Sequence, residues 1–210
     1  MKILNFTDKD INELKSRDRR LAVVINGLIV NREGTEDIFA SIIHSIVSQQ
    51  VSRKVADLIF DRLTSLASGI DAQSIYNLSV DSIKSAGMSQ RKAEYIRSVA
   101  CAVIEKRLLI DKLPLMDDED VIKELVKLDG IGRWTAEMLL IFCLKRADIL
   151  PVSDLGIRRG IEYLYFDSPK IDYEAVRKKF SPYCSLLSVF LWEIASRGAV
   201  FVRNTVTKTN

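Results

Sequence analysis

The chain has 210 residues, enough for one compact domain or two small halves sharing a cleft; 48% are hydrophobic and 28% charged, which excludes a disordered chain. The longest unbroken apolar run, Met138 to Leu144, is seven residues, far below the roughly 18 that cross a bilayer, and the polar start MKILNFTDKD is no signal peptide, so a cytoplasmic protein without a membrane partner is expected. Lys and Arg number 31 against 28 Asp and Glu, and the net charge of +3 permits an anionic partner without requiring one.

Four prolines and nine glycines leave little material for turns, while apolar residues recur at helical spacing from end to end, so the chain reads all-α. Thr35 is a plausible N-cap for a central helix whose buried face carries Ile38, Phe39, Ile42, Ile43, Ile46 and Val47. The only histidine, His44, lies beside that face and reads as a structural or surface residue, so no histidine chemistry is expected. A second pattern follows Ser52 through Val55, Leu58, Ile59 and Leu63, and a long helix follows Ser89 through Ala93, Ile96, Val99 and Val103. Asp117, Asp118, Glu119 and Asp120 open a helix carrying Val121, Ile122 and Leu125. This acidic run reads as a solvated first turn at the positive end of the helix dipole, with no catalytic or metal role.

Next comes LDGIGRWTA, Leu128 to Ala136, joining two helical patterns through Gly130, Ile131 and Gly132. Two glycines allow a tight turn that leaves backbone N–H groups open at a helix start, a site for one phosphate that would hold nucleic acid without reading its sequence. A plain helix-helix turn with a glycine C-cap accounts for the same spacing. Trp134 is either a packed indole or an aromatic wall for an electron-poor base. Later helices should start near Ser153, Asp172 and Ser181, the last running through Leu186, Val189 and Trp192, with Trp192 in the core. Asp154 caps the pattern Ile157, Ile161, Leu164, a role Ser153 could share, and capping is compatible with a second role in a site. Arg53, Lys54, Arg91, Lys92 and Arg133 form either a phosphate track or a solvated face. Cys101, Cys143 and Cys184 lie 42 and 41 positions apart with no C-x-x-C, so neither disulfides nor a Cys-ligated metal site is expected.

Four ordered stretches carry a resemblance: SIVSQQVSRKVA from Ser45, AGMSQRKAEYIRSVA from Ala86, LDGIGRWTA followed by ADILPVSDLGIRRG, and FSPYCSLLSVFLW from Phe180. Together they resemble the helix-hairpin-helix DNA glycosylase superfamily, and within it the 3-methyladenine DNA glycosylase II branch. The resemblance implies two helical subdomains flanking a cleft: a central half at about 35–115, and a second half from the N-terminal helices plus about 116–210. It implies that Asp154, 22 residues beyond Gly132, is the catalytic carboxylate. It also implies that Gln50 is the wedge filling the gap left by a flipped nucleotide; the alternative is that Gln49 and Gln50 are helix-terminal hydrogen-bonding residues. DNA-backbone contacts are implied for Gly130, Ile131, Gly132, Arg133 and Thr135 of the hairpin and for Gly87, Ser89 and Lys92.

Bifunctional members of the superfamily place a lysine where this chain has Trp134, so a monofunctional enzyme acting on alkylated purines in duplex DNA is implied. No cofactor is required; hairpin carbonyls hold a monovalent cation in the family. The implied partner is duplex DNA with a damaged base, bound by a monomer at the nucleoid, or in the nucleus of a eukaryote. Two other readings stand beside this one: a non-catalytic hairpin module that only grips phosphates, and a glycosylase for a deaminated or mismatched base. Asp129 stands where the hairpin usually has proline, and Phe180 and Cys184 where many relatives have tryptophan and arginine.

Overall fold

The structure is a computed structural model describing residues 4–32 and 34–207, helical throughout with no extended strand among those residues. Its contacts divide it into a terminal unit, Met1–Gly34 with Lys145–Asn210, and a middle unit, Thr35–Leu144. The second boundary thus differs from the expected one near residue 115. Segment 116–144 packs in the middle unit because its hairpin is clamped by residues 49, 95 and 98 of that unit.

The terminal unit begins with α1 (Asp8–Ser16), opened by a Thr7–Asp10 capping box, and α2 (Arg19–Ile25), capped by Asp18. Asp18 is nearly buried. Burial would raise its pKa, but hydrogen bonds from Lys179, the Leu21 N–H and Tyr165 outweigh that and hold it below the usual carboxylate range.

The middle unit runs through α3 (Ile38–Ser48), α4 (Arg53–Ala67), α5 (Ala72–Tyr76), α6 (Val80–Ser85), α7 (Gln90–Ile104), a 3₁₀ turn (Ile110–Leu115), α8 (Asp118–Leu125) and α9 (Arg133–Phe142). Phe39, Ile42, Ile43, Ile46 and Val47 of α3 are buried as their spacing predicts. The cap of α3 is Asp37 and not Thr35: the Asp37 carboxylate accepts the Ala40 N–H at 2.8 Å, while the Thr35 hydroxyl is bonded to Ser41. Ser52 and Ser89 cap α4 and α7 with nearly identical dihedrals. The acidic first turn of α8 is only partly a solvated face, since Glu119 reaches across to Arg133.

The terminal unit resumes with α10 (Leu155–Leu164), α11 (Tyr173–Phe180), α12 (Cys184–Arg197) and α13 (Ala199–Thr207). Helix α12 begins at Cys184, three residues past the expected start at Ser181, because Ser181 and Pro182 form the turn that precedes it. Its buried residues, with Ile157, Ile161 and Leu164 of α10 and Phe180 of α11, form this unit's core. Phe180 and Cys184 are themselves buried there. No single described helix is long and apolar enough to cross a membrane.

Candidate nucleic-acid interface and active site

In the terminal unit the segment Pro151–Asp154 makes a tight turn, with the Asp154 N–H donating to the Pro151 carbonyl at 2.9 Å, and delivers Asp154 to the N-cap of α10. Oδ1 of Asp154 accepts the Ile157 N–H at 2.9 Å and also the indole Nε1–H of Trp192 at 2.9 Å. The capping role is therefore real, and it is combined with a second tether. Trp192 is half-buried and bonded to Asp154, not a purely apolar core residue as expected, because its position on α12 turns the Nε1 edge toward the start of α10. Gly156 makes this possible: a Cβ there would stand 2.8 Å from Cδ1 of Trp192 and 3.0 Å from Oδ1 of Asp154. Two exposed apolar residues, Val152 and Leu155, flank the carboxylate.

In the middle unit the hairpin between α8 and α9 is fixed by its neighbours. Gly130 has φ +81°, and a Cβ there would lie 2.3 Å from the Tyr95 ring, so the aromatic face occupies the space a side chain would need. The Gln49 amide donates to the Gly130 carbonyl at 2.7 Å, the Ile131 N–H to the Leu128 carbonyl at 3.1 Å, and the Ser98 hydroxyl reaches Asp129 at 3.3 Å. These contacts supply the rigidity that a proline at position 129 would otherwise give. Ile131 is tucked inward, whereas Gly132 is exposed with nothing within 4 Å of where a Cβ would stand. Gly132 is the N-cap of α9 and no side chain caps that helix, so its first-turn N–H groups are addressed to whatever approaches this open face.

The side chains around this turn sort differently from expectation. The Thr135 side chain is buried, so its contribution to the face is its backbone. Trp134 is 47% exposed, which excludes the packed-indole reading. Arg133, expected on phosphate, is held by two carboxylates: Glu119 through both terminal nitrogens, at 3.1 and 2.5 Å, and Glu137 through Nε at 3.2 Å. The hydrogen bonds it donates to Glu119 raise its pKa further.

Lys92 is likewise not aimed at a backbone phosphate. Its ammonium donates to the carbonyls of Val47, at 2.8 Å, and Gln49, closing the C-terminus of α3, and the accompanying burial lowers its pKa. Gly87, with φ +112°, and Ser89 are exposed at the turn into α7, and Arg53 at the start of α4 has a side chain 87% exposed. Gln50 follows the α3 cap with φ +58°, a left-handed conformation uncommon for a residue with a side chain, and is exposed. The two glutamines therefore divide the expected roles: Gln49 is the helix-terminal hydrogen-bonding residue, and Gln50 is presented outward. His44 lies 3.3 Å from Asp57, edge-on to Phe60.

The implied monovalent cation has carbonyls to bind in this hairpin. Those of Leu128 and Gly130 each accept one protein N–H, and a carbonyl oxygen carries two lone pairs, so both remain able to face an ion. Among the described residues no cluster of three His, Cys, Asp or Glu is placed for a metal.

This constellation has known counterparts. Residues 43–185 match the family described as HhH-GPD superfamily base excision DNA repair protein. The chain belongs to that superfamily. Over 172 residues it is 32% identical to DNA-3-methyladenine glycosylase 1 of Schizosaccharomyces pombe, covering 80% of this chain and 75% of the relative. The crystal structure of a DNA-3-methyladenine glycosidase from Bacillus halodurans superposes with a TM-score of 0.80 at 33% identity, covering 93% of each chain. The S. pombe 3-methyladenine DNA glycosylase in complex with abasic DNA gives a TM-score of 0.73 at 29% identity, over 88% of this chain and 95% of that one.

Sequence reasoning missed the roles of Trp192 and Tyr95, and it read Gln49 only as a helix-terminal residue without its reach to the hairpin. Trp192 sits in an apolar stripe that hides its N–H. Tyr95 and Gln49 act on a turn more than thirty residues away in sequence. The one available signal was Gly156, a poor helix former placed inside the first turn of α10.

Proposed function

We propose that this protein is a monofunctional DNA glycosylase that hydrolyses the N-glycosidic bond of alkylated purines such as 3-methyladenine in duplex DNA during base excision repair. The observation that carries the reading is the carboxylate of Asp154, fixed by two N–H donors on the rigid start of a helix, in a chain whose relatives bear the name DNA-3-methyladenine glycosylase.

The chemistry follows from charge. An alkylated purine already carries positive charge in the nucleotide and leaves as a neutral base with little acid assistance, so positive charge builds on the sugar. A carboxylate about 4 Å from that charge, at an effective dielectric near 20, contributes about 4 kcal/mol, or roughly three decades in rate. Water then adds to C1′ and its proton passes to solvent or to Asp154. The product is the free base and an abasic sugar. Trp134 offers no amine, so no Schiff base forms and the strand is left uncut. Its exposed electron-rich face suits a cationic base.

Binding is assigned to backbone groups. The open start of α9 at Gly132 takes one phosphate, the exposed turn at Gly87 and Ser89 a second, and Gln50 enters the space vacated by the everted nucleotide, whose extrusion costs a few kcal/mol. A monovalent cation on the carbonyls of Leu128 and Gly130 would brace the hairpin, and no chemical step passes through it.

The test is incubation with duplexes bearing one defined lesion each, with separate assays for free base and for nicking. Release of 3-methyladenine or 7-methylguanine, with no nick before alkali and no borohydride-trapped adduct, is expected. Release of only deaminated or mismatched bases, or a trapped adduct, would overturn the assignment.

A further inference from the structure

We infer that Trp192 is a positioning residue for Asp154 and that the glycine at 156 leaves room for it, so that the productive direction of the carboxylate is set by an indole N–H from the neighbouring helix α12. The inference rests on the reading of Asp154 as the group facing the sugar.

Three observations carry it. Oδ1 of Asp154 receives two N–H donors at 2.9 Å, one from the backbone of Ile157 and one from Trp192 Nε1. The backbone bond alone satisfies the N-cap, as the side chains of Asp71, Ser52 and Ser89 do at their helices with no indole present. The second donor therefore goes beyond what capping needs. A second donor on the same oxygen, approaching from α12, narrows the positions that Oδ1 can take. Finally, α10 and α12 approach so closely that a Cβ has no room at Gly160 against the Leu191 backbone, and at residue 156 the same approach sets it against this bond: a Cβ would meet Cδ1 of the indole at 2.8 Å, its Nε1 at 3.3 Å and Oδ1 of Asp154 at 3.0 Å. Residue 156 lies in the first turn of α10, where glycine is a poorer helix former than alanine. The nearest atoms in the way of a larger residue are those of the indole and the carboxylate.

The mechanism requires nothing of Trp192 but direction. Its N–H stays on Trp192, no proton is transferred, and the ring remains part of the α12 packing. Loss of a hydrogen bond to a charged group corresponds to about a 10- to 100-fold loss in rate when that bond sets the reacting geometry.

The experiment compares wild type with W192F, G156A and D154N in single-turnover release of 7-methylguanine from duplex DNA, with duplex affinity measured in parallel. W192F keeps an aromatic ring, smaller than the indole, and removes the donor; G156A keeps the indole and displaces it. Both are expected to lose about 10- to 100-fold in the release rate with duplex affinity within about twofold of wild type. A purely structural role for Trp192 would not split rate from affinity in this way. As an independent readout, the side-chain Nε1–H resonance of Trp192 in an ¹⁵N spectrum is expected to move in D154N and in G156A, a signal available even if W192F folds poorly. Release by W192F and G156A within twofold of wild type, with D154N inactive, overturns the positioning role and leaves the function standing. Full release by D154N overturns the function itself. An indole resonance unchanged in D154N also overturns the inference.

Discussion

Gly130 and Gly132 sit two residues apart in one turn, yet substitution should damage different properties. Gly130→Ala forces a side chain into φ +81° and onto the Tyr95 ring, with nearest contacts of 2.3, 2.8 and 3.0 Å. The left-handed backbone costs about 1–2 kcal/mol and the displaced ring about 1–3 kcal/mol more, together roughly 2–5 kcal/mol. In a chain of this size that is a fall in Tm on the order of 5–15 °C. Gly132→Ala meets nothing within 4 Å, so its effect on stability should not exceed about 1 kcal/mol. Its methyl group, however, stands on the face where a phosphate must approach the start of α9, and losing that contact costs about 1–2 kcal/mol, roughly 5- to 30-fold in affinity. Thermal unfolding by circular dichroism and duplex binding by fluorescence anisotropy at fixed salt separate the two. Equal losses of Tm in both variants, or unchanged duplex affinity in Gly132→Ala, would refute the division between a packed glycine and an open one.

Other perturbations test the remaining parts. Gln50→Gly relieves a left-handed residue, so stability should rise by about half a kcal/mol after the entropy of the added glycine, while base release from duplex falls about tenfold for want of a wedge; unfolding midpoints and single-turnover rates read the two opposed signs. Because Arg133 is engaged by Glu119 and Glu137, Arg133→Ala should leave the salt dependence of duplex binding nearly unchanged, whereas Arg53→Ala, at a side chain 87% exposed and held, among the described residues, only by a long 4.0 Å ion pair with the exposed Asp57, should lower the slope by about 0.9. Asp18 has a folded pKa held below its unfolded value. Its stabilising contribution is thus present above about pH 4 and lost as pH falls through the lowered folded value. Asp18→Asn should cost about 1–3 kcal/mol at pH 7 and much less at pH 2, measured as the difference in Tm from wild type at each pH.

Elements bounded by an unambiguous cap were legible from the sequence. Ser52, Ser89 and Asp172 each precede a clean apolar period and each caps its helix. Where two cap-capable residues stood close together, Thr35 and Asp37, spacing did not choose between them; the choice is made by which side chain reaches the N–H of the first turn. The resemblance of the surrounding motifs brought forward Asp154 and Gln50 as candidates, while the cap at Asp154 and the hairpin glycines could be read from spacing because caps and tight turns are local features. The roles of the long cations were not legible. A lysine or arginine beside a matched motif looks available for phosphate, but Lys92 spends its donors on carbonyls 45 and 43 residues away, and Arg133 meets a carboxylate 14 residues away. Trp192 was hidden for the same reason, since an apolar period reports which face of α12 is buried and says nothing of where one ring N–H points.

The most direct test of the account is the single-turnover release of 7-methylguanine by D154N, measured beside its duplex affinity. Asparagine caps a helix as well as aspartate does, so the variant should fold and bind DNA as tightly as wild type or more so, having lost a negative charge. Release is predicted to fall by about a thousandfold. A rate within tenfold of wild type in a folded, DNA-binding D154N protein would contradict the claim that this carboxylate stabilises the sugar cation.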